Sequence, residues 1–307
     1  MKGDFYSKPL NILILAAIAT ALWGSAIPVI KIGYEVFNIT ESGVEVKLLF
    51  AGIRFLLAGI FVIIYHSIVN KSFELPRRDE YGKIALLGVV QTTIEYVFFY
   101  LSLLYLTGVK GSIMNSIGNF FAVILAHFAF KSDRINFRKF LGCVLGFAGV
   151  VVCCFEEGLD FSFTFKGDGF ILIAAFCFAL GSVITKFVTQ DSNSVKITGW
   201  QLAFGGVILM AIGLAFGGRL SITSAYALGI LIYLALLSSV AFSVWALLLK
   251  YNPVGKISVY CFLNPVFGVI FSGILLGENI FNVRSLIALV MVSVGIYIVN
   301  YVKKERY

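Results

Sequence analysis

Ten long apolar runs joined by short polar connections constrain this chain more than any other feature. They cover 10–34, 46–67, 82–106, 111–130, 138–155, 167–189, 196–216, 224–249, 254–276 and 283–302. A helix needs about 20 apolar residues to cross the hydrocarbon core of a bilayer. Helical backbone satisfies its own N–H and C=O groups there, without water. The runs therefore predict an all-α membrane protein of ten transmembrane helices, spans 1 to 10, with no room for a separate soluble domain. Composition agrees: 60% of residues are hydrophobic and 13% charged, against about 25% charged in soluble domains. Lys2 and Lys8 ahead of the first run resemble the start of a signal peptide. The run outlasts a signal core, however, and has a counterpart at 167–189, so it reads as a span.

The formal net charge of +8 reads as the positive-inside bias, not as a nucleic-acid surface. With both termini cytoplasmic and Arg54 set aside as intramembrane, six of the 24 Lys and Arg fall outside: Lys31, Lys47, Lys110, Lys166, Arg219 and Arg284. The other seventeen fall inside. The outer loops gather acids, among them Glu41, Glu45, Glu156, Glu157 and Asp160. An odd number of spans would destroy this alternation. The five Cys lie in apolar runs without CxxC spacing and read as small buried hydrophobes.

The second half resembles the first. Tyr105–Cys153 aligns without a gap on Tyr251–Val299, matching Lys110/Lys256, Ser112/Ser258, Asn136/Asn282, Arg138/Arg284 and Gly149/Gly295. Upstream, with small gaps, Gly24-Ser25 pairs with Gly181-Ser182 and Arg54 with Gln201. Each copy holds five spans, and an odd number inserts the second copy upside down. Inverted repeats of this kind place a transport site near mid-membrane at the repeat interface. The expected division is 1–158 and 159–307.

With these residues in view, the chain resembles the drug/metabolite transporter superfamily, EamA type. The resemblance rests on Trp23-Gly24 with Lys31, on Arg54-Phe55, and on Asn264-Pro265-Val266-Phe267 followed by Leu276-Gly277-Glu278-Asn279 and Gly295. It departs where the family often has Pro and Glu in span 4, since this chain has Asn119 and Ser132. The resemblance implies gradient-driven transport of amino acids and related metabolites. The chain has no GxxxxGK[ST] phosphate loop, in keeping with a process that does not use ATP.

An ionisable side chain deep in the membrane is a functional hypothesis by default. Arg54 is expected about 9 Å and Glu95 about 14 Å below the outer boundary at 1.5 Å per residue. Gln91, Glu95, Phe99 and Ser102 share one helical face, as do Ser112, Asn115 and Asn119. The expected substrate-binding set is Trp23, Arg54, Gln91, Glu95, Asn115, Asn119, Gln201 and Asn264. Arg54 reads as a carboxylate clamp and Glu95 as a proton-coupling or cation site. The alternative is that the two pair with each other and hold spans 2 and 3 together. Pro28 and Pro265 read as hinges or static kinks. Trp200 and Trp245 read as stacking or interface residues, and Gly142, Gly146 and Gly149 as a close-packing face. Glu278 reads as a helix cap. His66 and His127 make no metal or catalytic case, and neither cofactor nor metal is expected.

The leading function is secondary transport, in the export direction, of small polar metabolites such as amino acids across the cell membrane, with proton or other gradient coupling. The partners are a small-molecule substrate and the lipid bilayer, and a monomer suffices because the repeat supplies two halves. Efflux of cationic compounds and a non-transporting membrane assembly subunit are the alternatives. An embedded enzyme lacks a clustered nucleophile, base or metal set.

Overall fold

The computed structural model describes residues 2–154, 162–222, 224–277 and 283–300. Glu156, Glu157, Asp160, Glu278, Asn279, Asn282 and the 158/159 division lie outside the described residues. Among those described, nine helical paths are long and apolar enough to cross a membrane: Pro9–Val36, Val44–Asn70, Arg78–Ser102, Lys110–Ala129, Phe165–Gln190, Ser194–Ala215, Ala225–Tyr251, Val254–Leu276 and Val283–Asn300. They coincide with spans 1–4 and 6–10. Span 5 is the helix Phe137–Cys153, of 17 residues. A short helix, Lys2–Ser7, precedes span 1.

Local chemistry sets the ends. Thr107, Asn136, Asn193 and Ser224 accept backbone N–H bonds as N-caps of spans 4, 5, 7 and 8. Gly277 adopts the left-handed conformation that closes span 9. Large apolar side chains such as Leu10, Ile14, Ile60, Ile64, Leu286 and Val290 face outward, as lipid-facing residues do.

Equivalent helices of the two halves pack on each other. Span 2 lies against span 7 and span 5 against span 10. Span 1 meets spans 8 and 9, as span 6 meets spans 3 and 4. Glycine allows the close approach. Gly59 faces the Ala203 backbone, Gly206 that of Leu56, and Gly199 faces Ile63 as Gly52 faces Met210. Numbers rise along span 2 as they fall along span 7, so the pair is antiparallel about a centre near Leu57 and Phe204. In the same way Gly142 packs on Gly295 and Gly149 on Ala288.

Three paths depart from plain α-helix. Span 3 contains a π-turn at Val89–Ile94, directly before Glu95. Span 4 breaks after Asn115 and resumes at Gly118. Span 9 passes through a 3₁₀ turn at Val259–Phe262 and resumes at Leu263. On the offset of the gapless repeat, the two breaks fall at the same place. Pro265 stands in the first turn of the resumed helix, where a missing N–H costs no helix bond. Span 1 runs unbroken through Pro28.

Polar contacts tie both ends of the bundle. At the end rich in Lys and Arg, called the basic end below, Lys196 pairs with the buried Glu80 at 2.8 Å. There the Gly255 N–H donates to Asp133, which also pairs with Lys139. Lys186 and Lys250 donate to main-chain carbonyls of Asn252 and Ser192. At the far end, Lys110 pairs with the buried Asp168 at 3.0 Å.

Candidate functional site

The internal symmetry locates two half-sites. Ser238 accepts a hydrogen bond from Arg54 Nε at 3.0 Å, and the Ser239 hydroxyl donates to the Ala58 carbonyl at 3.0 Å. In the other half, the Thr92 hydroxyl donates to Gln201 Oε1 at 3.0 Å, and Thr93 to the Gly205 carbonyl at 3.2 Å. These are equivalent contacts related by the repeat, with one direction reversed: Arg54 donates where Gln201 accepts. Thr92-Thr93 answers Ser238-Ser239, and Gln201 stands where Arg54 stands. Arg54 sits one turn to the far side of the centre of the spans 2 and 7 contact, and Gln201 one turn to the basic side, each about 5 Å away.

The far half-site is charged. Arg54 is 2% exposed. Its guanidinium lies 4.8 Å from the Phe55 ring centroid. The hydroxyls of Tyr34 and Tyr100 lie within its field and close to each other. Tyr96 packs against Phe55 with ring centroids 4.4 Å apart and planes tilted by 60°. Insertion scales put an arginine at mid-membrane at about 2.5–3.5 kcal/mol, and one serine bond does not satisfy five donors.

Glu95 begins the α-helical stretch after the π-turn, its N–H bonding to the Val90 carbonyl. Insertions of this kind concentrate at functional sites. The carboxyl oxygen Oε2 is buried without a hydrogen-bond partner among the described residues, and its field reaches the thiols of Cys177 and Cys261. No ion pair joins it to Arg54 among the described residues. The two side chains therefore do not pair, and each keeps unused bonding capacity.

The remaining expected residues divide. Gln91 and Gln201 line a small pocket on the basic side with Leu87, Thr185, Thr198, Phe242, Trp245 and Ala246. Trp23 is partly buried and packs edge-on against Phe178, Phe242 and Trp245. Asn264 has a buried amide oxygen with no partner among the described residues, and its main-chain carbonyl meets Gly24. Asn119 is buried just past the break in span 4. Asn115 is exposed, because the break interrupts the helical face it was expected to share with Asn119. Trp200 donates to the Glu74 carbonyl at the basic end, away from the site. His127 accepts a loop N–H from Ile135, and His66 is buried in span 2.

Sequence reasoning missed Tyr34, Tyr96, Tyr100, Ser238, Thr92, Thr185 and Thr198. The pairing of Thr92-Thr93 with Ser238-Ser239 was the available signal.

Comparison with known proteins completes the picture. The profile of the EamA-like transporter family matches residues 10–155 and 165–301. A WAT1-related chloroplastic protein of Arabidopsis thaliana is 28% identical over 290 residues, covering 91% of this chain and 67% of that protein. An uncharacterized transporter of Archaeoglobus fulgidus is 28% identical over 273 residues, covering 87% and 89%. One from Bacillus subtilis is 23% identical over 299 residues, covering 94% and 96%. A crystal structure shares the fold with a TM-score of 0.78 at 15% identity, over 95% of this chain and 97% of that one. With the family's domain present twice and apolar helices throughout, this multi-pass membrane protein belongs to the EamA-like transporter family.

Proposed function

We propose that the chain is a gradient-driven exporter of small polar metabolites that carry a carboxylate, amino acids foremost. It works by alternating access between two inverted five-span repeats, 1–158 and 159–307. Ten spans, cytoplasmic termini and a cell-membrane location belong to this reading, supported by the Lys and Arg bias and the antiparallel packing of equivalent helices. Arg54 receives the substrate carboxylate through its unused guanidinium donors. Glu95 carries the coupling proton. Trp23, Asn264 and the tyrosines enclose the rest of the substrate, and the breaks in spans 4 and 9, with Pro28 and Pro265, are where the helices flex.

One observation carries the reading: two ionisable side chains at membrane depth, on spans 2 and 3, with no ion pair between them among the described residues and neutral counterparts, Gln201 and Ala241, in the second half. A structural ion pair would join Arg54 to Glu95. A recognition site leaves each for a ligand or a proton. Uptake of radiolabelled amino acids into proteoliposomes under an imposed pH gradient tests this. Glu95→Gln abolishes gradient-driven uptake while leaving exchange across the membrane; undiminished gradient-driven uptake by that variant removes the coupling role.

A second reading has its own observation. The unpaired Glu95 carboxylate shares span 3 with Tyr96, near the cluster of Trp23, Trp245 and Phe242, a setting that suits a flat organic cation. Displacement of uptake by aromatic amines, but not by amino acids, would favour it.

A further inference from the structure

The pocket on the basic side is the counterpart of the place Arg54 fills. On the repeat register Gln201 answers Arg54 and Ala246 answers Tyr100. A shorter side chain and a much smaller one leave space that the other half does not have. The space is about the size of one water molecule. Four polar side chains from three spans line it: Gln91, Thr185, Thr198 and Gln201. Trp245 lines it too, and its Nε1–H is fully buried with no acceptor among the described residues. Thr185 donates to Gln91 Oε1 at a long 3.4 Å, and Thr92 supplies only one bond to Gln201. An apolar void of this size stays dry, whereas one with an orphan donor and several acceptors holds water.

We propose that this pocket holds a resident water, bound by Trp245 Nε1–H and the Gln91, Gln201, Thr185 and Thr198 side chains, which passes the coupling proton between Glu95 and the basic end. The relay rests on the coupling role given to Glu95; the water does not. Gln91, inside the π-turn, stands four residues before Glu95, so the pocket and Glu95 share span 3. In the other direction the Thr198 hydroxyl donates to the Ser194 carbonyl at 2.8 Å. The Ser194 hydroxyl is buried and unpaired among the described residues, and two residues on lies the Lys196–Glu80 pair. The Ser194 carbonyl only accepts, so the relay runs when the Thr198 hydroxyl turns from it towards the Ser194 hydroxyl one helical turn away; water and the two hydroxyls each accept one proton as they release another, with no net chemistry.

The water is read without any solute. In ¹⁵N-indole-labelled protein in lipid nanodiscs, assigned with Trp23→Phe and Trp200→Phe, the Trp245 N–H should show a water cross-peak despite its burial. Thr185→Val with Thr198→Val should remove it, and the two Thr→Ser replacements should restore it. A dry Trp245 resonance in the unaltered protein overturns the proposal. The relay is read in proteoliposomes loaded with the twenty common amino acids. The double Val variant should lose pH-gradient-driven uptake by about tenfold or more yet keep exchange, and the Ser variant should recover. If Glu95→Gln abolishes coupling and the double Val variant does not reduce it, the relay fails alone. If Glu95→Gln leaves coupling intact, the function proposed for Glu95 fails and the relay with it.

Discussion

On the far side of the repeat centre, Arg54 bonds Ser238 and lies among Tyr34, Tyr96 and Tyr100. On the basic side, Gln201 bonds Thr92 and lies among Gln91, Thr198 and Trp245. The backbone frame is common to both: the same spans cross, the same hydroxyl pair bridges them, and glycines permit the same approach. The side chains differ, one half carrying a cation and the other neutral amides. Span 3 adds a π-turn and Glu95 where span 8 is plain helix with Ala241. In the proposed function, symmetry is what lets the halves exchange conformations, and its local loss marks where a polar solute is held. A mid-membrane arginine is costly, and the neutral copy at Gln201 shows that the frame does not need it.

Making the far half like the basic half should have the largest effect. Arg54→Gln is expected to weaken binding of carboxylated substrates by about 10- to 100-fold, the worth of a charged hydrogen bond of roughly 1.5–3 kcal/mol. Competition against uptake by amino acids and by their decarboxylated amines measures it, with the amines unaffected. Overpacking the shared frame comes next. Gly59→Leu and its counterpart Gly206→Leu each press a side chain onto facing backbone, costing about 1–3 kcal/mol, so thermal melting in detergent should fall by similar amounts for both. Gly229→Ala, where a Cβ meets nothing, should not lower it. Unequal losses at Gly59 and Gly206 would break the symmetry claim. Smaller still, Ser238→Ala frees Arg54 Nε from its one bond, worth about 0.5–1.5 kcal/mol, and should shift half-saturation a few-fold. Thr92→Ala, on the neutral side, should shift it least.

The spans and the repeat were legible because lipid demands long apolar helices and because two copies keep their glycines and turn residues in register. Arg54, Glu95, Gln91 and Gln201 were legible as polar atoms at depth. What each faces was not. Facing depends on helical phase, and the π-turn before Glu95 and the break in span 4 both reset phase without a proline to announce them. The break turned Asn115 outward while its counterpart Cys261 stayed buried. The tyrosines around Arg54 were hidden among 14 in an aromatic-rich chain, and only three-dimensional convergence distinguishes them.

The central claim is that Arg54 and Glu95 are separate working charges, not a structural pair. Solid-supported membrane electrophysiology on proteoliposomes, with a panel of amino acids, amines and sugars, tests it most directly. The account predicts an amino-acid-evoked current in the unaltered protein that disappears in Glu95→Gln, with the variant still folded and still binding substrate. The same current in Glu95→Gln, with Arg54→Gln and the double variant equally active, would contradict it.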